Sequence, residues 1–138
     1  MRRRAILIPL LCGLLLALFM AARLGAHGIG KPQVVNERVG PYLISVWTDP
    51  DPLRADETHV VVGVTNPDTR EPVVGGIEVT VALVSAADPA VVVTQTAGTD
   101  SVNQLLYAAE FNDRVAAGRW RVVITVTGAQ GPVEAPGF

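Results

Sequence analysis

Hydrophobic and polar side chains alternate with a period of two over much of the chain after Tyr42. The clearest run covers residues 77–85, where isoleucine, valine and leucine are separated by glutamate, threonine and alanine. Residues 119–127 repeat the pattern, with Trp120 and three branched aliphatic residues on one face. Because successive side chains of a strand point to opposite faces, each run predicts a β-strand with one buried and one solvated side.

Further strands are predicted where β-branched residues cluster, at residues 42–48, 59–65, 91–96 and 105–111, and residues 34–38 allow a short leading strand. Segments rich in Pro, Gly, Asp and Asn separate these runs. Six to seven strands with turn signals about every ten residues predict an all-β fold, an immunoglobulin-like antiparallel β-sandwich, with an open barrel as the competing architecture. We expect Trp47 and Trp120 to be substantially buried between the two sheets.

The first 26 residues follow a different pattern. Three arginines at positions 2–4 precede an uncharged apolar run over residues 5–22, as in a secretory signal. The run also approaches the roughly 17–25 residues that a membrane-spanning helix needs. Residues 1–26 are therefore predicted to form one N-terminal hydrophobic helix, a signal peptide or signal anchor that engages the membrane. Whether the chain is cut after Ala26 stays open.

Either outcome predicts an extracytoplasmic protein, because the arginines hold the N-terminus in the cytoplasm and the rest of the chain emerges on the far side. That side is the periplasm or the outer face of the cell membrane. The remaining residues suffice for one domain. We expect a linker with a possible first short strand over 27–40, a β-sandwich over 41–128 and a flexible tail over 129–138.

The charge of the predicted exported part excludes one class of partner. Four of the 11 basic residues and none of the 13 acidic residues lie in the first 26 positions, which leaves 7 basic residues against 13 acidic ones. Binding to nucleic acid depends on clustered lysine and arginine, so nucleic acid is not expected as a partner.

The sequence does not point to an enzyme. The serines of the β-rich region lie in no Gly-x-Ser-x-Gly pattern, and the one cysteine, Cys12, precedes the domain. A secreted hydrolase would need a catalytic set assembled from separate strands, which spacing alone does not reveal.

Two histidines are the candidate metal ligands. His27 follows the hydrophobic segment and His59 opens a predicted strand. Imidazole suits copper and zinc, and cleavage after Ala26 would give His27 a free α-amino group beside its ring. A carboxylate such as Asp49, Asp51 or Glu57 could complete the site. In the alternative interpretation His27 is a linker residue and His59 a strand-end residue without a ligand role.

Three stretches carry a family resemblance: Ala26-His27-Gly28 after the signal-like segment, Gly118–Arg119–Trp120–Arg121–Val122 at the last predicted strand, and residues 103–110 before it. Together they resemble small exported domains of the YtkA or FixH-like type and, more distantly, copper-resistance proteins of the CopC type. The resemblance implies an immunoglobulin-like sandwich linked with copper handling or with assembly of respiratory membrane complexes. If the chain is cut after Ala26, the resemblance carries over His27, then the N-terminal residue, as a copper ligand. The methionine-rich site and the late Asp-x-His pair of the CopC type have no counterpart here.

The sequence thus predicts a non-enzymatic binding or accessory module, exported or tethered by its N-terminal segment, with copper as its candidate cofactor. The alternative is a structural single-pass subunit that docks onto a larger membrane protein complex and has no metal role.

Overall fold

The structure, a computed structural model, describes residues 30–50 and 53–138. Within these ranges the chain forms nine β-strands and one turn of 3-10 helix at Asn112–Arg114. The strands are β1 (Lys31–Val39), β2 (Tyr42–Asp49), β3 (His59–Thr65), β4 (Glu78–Ser85), β5 (Val92–Thr96), β6 (Gly98–Thr99), β7 (Tyr107–Glu110), β8 (Trp120–Gly128) and β9 (Gly131–Ala135). The predicted hydrophobic helix over 1–26 lies outside the described residues, and no helix in the described part is long and apolar enough to cross a membrane.

The nine strands of the described chain form two antiparallel sheets. Sheet 1 has the order β1-β2-β3-β7-β6, and sheet 2 has the order β5-β4-β8-β9. The chain passes from sheet 2 to sheet 1 between β5 and β6 at Ala97, which is buried and whose N–H donates to the Val79 carbonyl at 2.8 Å. The predicted all-β, two-sheet architecture is confirmed.

Alternating side chains from both sheets meet in one core. Sheet 1 contributes the even-numbered residues of β2 and β3, and sheet 2 contributes the odd positions of β4 and the even positions of β8. The fully buried members include Ile44, Val62, Val81, Ile124 and, beyond the end of β7, Phe111. Burying such a side chain stabilises the fold by about 1.5–3 kcal/mol, so the period-two pattern is also the main source of stability.

The central strand of sheet 1 is buried on both of its faces. Val61 points away from the core yet is only 8 % exposed. Next to it, a Cβ added at Gly63 would lie 3.2 Å from Leu106 Cδ2 and 3.3 Å from Trp47 Cζ3. The Trp47 ring therefore packs closely over Gly63, and a Cβ at this position would require the ring or Leu106 to shift by a few tenths of an ångström.

The expectation that both tryptophans fill the space between the sheets is wrong for Trp47. Ile44 and Val46 of the same strand face the core, so the alternation directs Trp47 to the outer face of sheet 1, where it is half-buried. Trp120 has the core-facing parity of Val122 and packs against the core. It opens its strand at the end of the sandwich, however, and is also only half-buried.

The expectation of a flexible tail over 129–138 is also wrong. Gly131–Ala135 forms β9, which pairs with β8 from Gly128↔Gly131 to Ile124↔Ala135. Beyond β9, the N–H of Val122 donates to the Phe138 carbonyl at 2.9 Å. A turn at 129–130 reverses the chain, and Pro132 is tolerated because β9 is an edge strand. With β9, a full-length β1 and the two-residue β6, the strand count exceeds the six to seven expected.

Substitution of Ala135 tests whether β9 is part of the folded unit. Ala135 is 1 % exposed, so Ala135→Asp would bury an unpaired carboxylate and should lower the free energy of unfolding by about 3 kcal/mol or more, measured by urea denaturation. Ala129→Asp, in the exposed turn before β9, is the matched control and should change it by less than about 0.5 kcal/mol. Equal, small effects of the two substitutions would mean that the segment does not pack as described.

Tyr107 supplies a pH-dependent contribution to stability. Its hydroxyl donates to the Val73 carbonyl at 3.0 Å, and burial, with Tyr42 as a second cause, raises the pKa of the Tyr107 phenol. A raised folded-state pKa favours the neutral form, so this contribution is complete below the unfolded-state pKa of about 10 and is lost as the pH rises through the folded-state value.

Tyr107→Phe should therefore lower the free energy of unfolding by about 1 kcal/mol at neutral pH, because a hydrogen bond is lost. Above about pH 10 the difference in free energy of unfolding between the wild-type protein and the variant should narrow. Chemical denaturation at pH 7, 9, 10 and 11 measures the free energy of unfolding of both proteins. A gap that stays constant over this range would contradict the link to ionisation of Tyr107.

Candidate functional site

His59 lies between two carboxylates at one end of sheet 1. It is the first residue of β3, and its partners in the ladder are Asp49 on β2 and Glu110 on β7. We call these three residues the His59 row. The imidazole is half-buried, and both acidic residues are exposed.

The three side chains of the row share the outer face of the sheet. The adjacent residues Thr48, Val60 and Ala109 are buried, and the last two belong to the core, so alternation turns the row outward. Directly opposite residues in antiparallel strands have Cβ atoms about 4.5–5.5 Å apart. The row thus presents one imidazole with a carboxylate on either side to solvent.

The start of the described chain runs past the same end of the sheet. A Cβ added at Gly30 would collide with the Thr48 carbonyl oxygen and lie 3.0 Å from Asp49 Cβ, so the Gly30 backbone packs against the last residues of β2. Gly30 has a φ of +95°, which glycine adopts without strain. His27 lies outside the described residues, but it is only three positions before Gly30. An extended chain of three residues spans about 10 Å.

The donor atoms of the His59 row and of His27 are of the kind that copper(II) and zinc bind. One imidazole, two carboxylates and a second imidazole from His27 are ligands that copper(II) and zinc accept. In the described ranges no three His, Cys, Asp or Glu side chains are grouped closely enough to hold a metal ion. A site here would therefore depend on His27.

The three carboxylates that were predicted to complete the site have different positions. Asp49 lies beside His59, as the metal interpretation requires, whereas Asp51 lies outside the described residues. Glu57 is exposed and lies 3.8 Å from the Arg54 guanidinium. Glu110 was not predicted as a ligand, because its place beside His59 follows from the pairing of β3 with β7, which are more than 40 residues apart in sequence.

A pocket of about 340 Å³ opens at one end of the core. The core residues Val60, Leu83 and Val122 line it, together with Trp120 and the loops at 53–58 and 116–118. Its volume falls at the low end of the range for small-molecule sites. The polar groups that line it are largely engaged: the Thr58 hydroxyl donates to the Arg54 carbonyl at 2.6 Å, and the Trp120 indole N–H donates to the Ala116 carbonyl at 2.9 Å.

These contacts indicate that the polar groups of the pocket hold its two loops in place. Among the described residues of the lining, Arg54 is the one with a charge, and its side chain is largely exposed beside Glu57. The described part of the lining therefore shows no buried, convergent polar groups of the kind that orient a bound substrate.

No protein-family model, curated protein or solved structure matches this chain. The resemblance to YtkA, FixH-like and CopC-type domains stays a prediction. The possible roles of the His59 row and of the pocket rest on the geometry and chemistry of their own residues.

Proposed function

We propose that this protein is a non-enzymatic accessory module outside the cytoplasm that binds copper(II) at the His59 row, with His27 completing the site. The observation that carries the proposal is the register that aligns Asp49, His59 and Glu110, together with the packing of Gly30 against Asp49. His27, 32 positions before His59 in sequence, is three positions from Gly30, so the length of the chain allows it to reach the row.

We also propose that the two-sheet sandwich is of the immunoglobulin-like type. The order β2-β3-β7-β6 on one sheet and β5-β4-β8-β9 on the other corresponds to the ABED and C′CFG sheets of an immunoglobulin-like sandwich. The passage from β5 to β6 is then the C′-to-D crossing from one sheet to the other, and β1 is an added edge strand. This correspondence supports an immunoglobulin-like sandwich of the kind that the sequence resemblance implies.

Each ligand has a defined contribution. The rings of His59 and His27 would supply nitrogen donors, and Asp49 and Glu110 would neutralise the charge of the ion. If the chain is cut after Ala26, the α-amino group of His27 becomes a further nitrogen donor. Bound copper would be cargo or a structural ion, because the three side chains of the row lie on the solvated outer face of sheet 1.

Copper(II) titration of the chain that begins at His27 tests the site. His59→Ala and His27→Ala should each weaken the affinity by about ten-fold or more, because each removes a nitrogen donor. Asp113→Asn, an exposed acidic residue of the 3-10 turn, is the control for general loss of negative charge and should leave the affinity unchanged. Calorimetry measures the affinity, and circular dichroism verifies that each variant is folded.

Comparison of the copper affinities of the two histidine variants shows which residues bind the ion. Loss with His27→Ala alone would mean that copper binds the N-terminal peptide without the His59 row. Loss with neither variant would contradict the metal role.

Mass spectrometry of the protein recovered from its native membrane tests the localisation. A first residue at His27 would establish cleavage of the 1–26 segment, and an intact segment would establish an anchor. Recovery of the intact chain from the cytosolic fraction alone would contradict the extracytoplasmic assignment.

A structural subunit of a membrane complex is the second candidate, and one observation favours it. Val102 and Leu105, in the loop before β7, are 87 % and 51 % exposed. Apolar side chains grouped on one loop are suited to contact with a partner protein. In that case copper affinity should be absent, and Val102→Asp should release the protein from the complex with which it co-purifies.

A further inference from the structure

The two sheets end in four edge strands within the described chain, and three of these edges are protected against pairing with another strand. The ladder of β1 with β2 contains two register shifts, and β1 carries Pro32, Glu37 and Arg38. The strand β9 contains Pro132 and Glu134, and β6 is two residues long. Proline, charge, irregular pairing and short length are the features by which proteins block edge-to-edge association.

The strand β5 has none of these features. Its sequence is Val-Val-Thr-Gln-Thr, and its ladder with β4 runs without a register shift from Val84↔Val92 to Thr80↔Thr96. Val91, just before the strand, and Val92 are 46 % and 49 % exposed. Among the edges of the described residues, β5 is thus the regular, uncharged and partly apolar one.

The unpaired backbone groups of β5 can be assigned from the hydrogen bonds on either side of it. The Val91 carbonyl accepts from the Ser85 N–H at 3.0 Å, and the Ala97 N–H donates to Val79 at 2.8 Å. Odd-numbered residues therefore direct their backbone groups to β4, and Val92, Thr94 and Thr96 direct theirs outward. The Thr96 carbonyl accepts from the Gln95 side chain at 3.3 Å, an exposed contact that a new strand would replace.

We propose that β5 pairs antiparallel with β5 of a second copy of this chain, around a two-fold axis at Thr94. Thr94 then faces its own counterpart, and Val92 faces Thr96 of the other copy. The two four-stranded sheets become one eight-stranded sheet, and the outward N–H and C=O groups of β5 are satisfied.

The composition of β5 favours a second copy over an unrelated strand. A two-fold axis repeats each contact, so a charged residue of the strand near the axis would bring like charges together, and β5 itself has no charged residue. The Arg114 guanidinium donates to the Gln95 side chain, on the face of β5 that Gln95 shares with the core residue Val81. The pairs formed are β-branched residues facing each other, a favourable combination in sheets. The His59 row is on sheet 1, so dimerisation through sheet 2 leaves it open, and the proposal does not depend on metal binding.

Cysteine crosslinking tests both the contact and its register. In a Cys12→Ser background, Thr94→Cys should form a disulfide-linked dimer under mild oxidation, since hydrogen-bonded antiparallel partners have Cα atoms about 5.5 Å apart, a common disulfide spacing. Val92→Cys alone should crosslink poorly, whereas a mixture of Val92→Cys and Thr96→Cys should crosslink well. Glu134→Cys, on the opposite edge of sheet 2, is the collision control.

Equal yields for Thr94→Cys and Glu134→Cys would overturn the proposal. A high yield for Val92→Cys alone would overturn the register.

A second variant tests the association without any crosslink. Thr94→Lys should weaken the dimer by about ten-fold or more in sedimentation equilibrium, because two lysines would face each other across the axis. Thr127→Lys, on an exposed position of β8, should leave it unchanged. Both variants should keep the melting temperature of the monomer, since both positions are exposed. A wild-type chain that stays monomeric at millimolar concentration, or that forms open-ended aggregates, would contradict the two-fold pairing.

Discussion

The requirement that each strand bury one face against the opposite sheet fixes most of this structure. Ile44, Val62, Val81 and Ile124 come from four different strands and meet in one core, because each has the inward parity of its strand. A shift of one residue in any ladder would turn a strand's apolar side chains into water, at a cost of about 1.5–3 kcal/mol for each one exposed. The register is therefore strongly specified, and it also determines which side chains stand together on the outer faces.

The His59 row is a consequence of that register. Val60 and Ala109 must face the core, so His59 and Glu110 must face outward, and the pairing of the strands places them side by side. Further along β3, Trp47 covers Gly63 and makes the middle of the strand buried on both sides. His59, a candidate ligand, is therefore at the end of a strand whose middle is packed on both faces, and this packing holds the strand in place.

Local pattern was sufficient for strands whose alternation is long and regular. The predicted strand at 59–65 coincides with β3, and those at 42–48 and 77–85 differ from β2 and β4 by one residue. The local pattern was insufficient where a feature depends on contacts between residues that are distant in sequence.

The strand β2 has apolar residues on both faces, so its own sequence does not show which face of the sheet carries Trp47. The strand β9 is short and contains Pro132, and it is held by β8 and not by its own propensity. Glu110 had no local signal as a candidate ligand for the same reason.

The position of Gly30 links the candidate site to the predicted N-terminal segment. Gly30 packs beside Asp49, and it lies eight positions after Ala22, the end of the uncharged apolar run. An extended chain of that length spans about 28 Å at most. If the 1–26 segment is retained as an anchor, Gly30 would lie within that distance of the membrane surface, with the His59 row beside it. The short tether would then confine copper exchange to partners at or near the membrane, whereas cleavage after Ala26 would remove that restriction and add a nitrogen donor. If copper binds at the proposed site, processing of the N-terminal segment would therefore decide both its ligand set and the partners that can reach it.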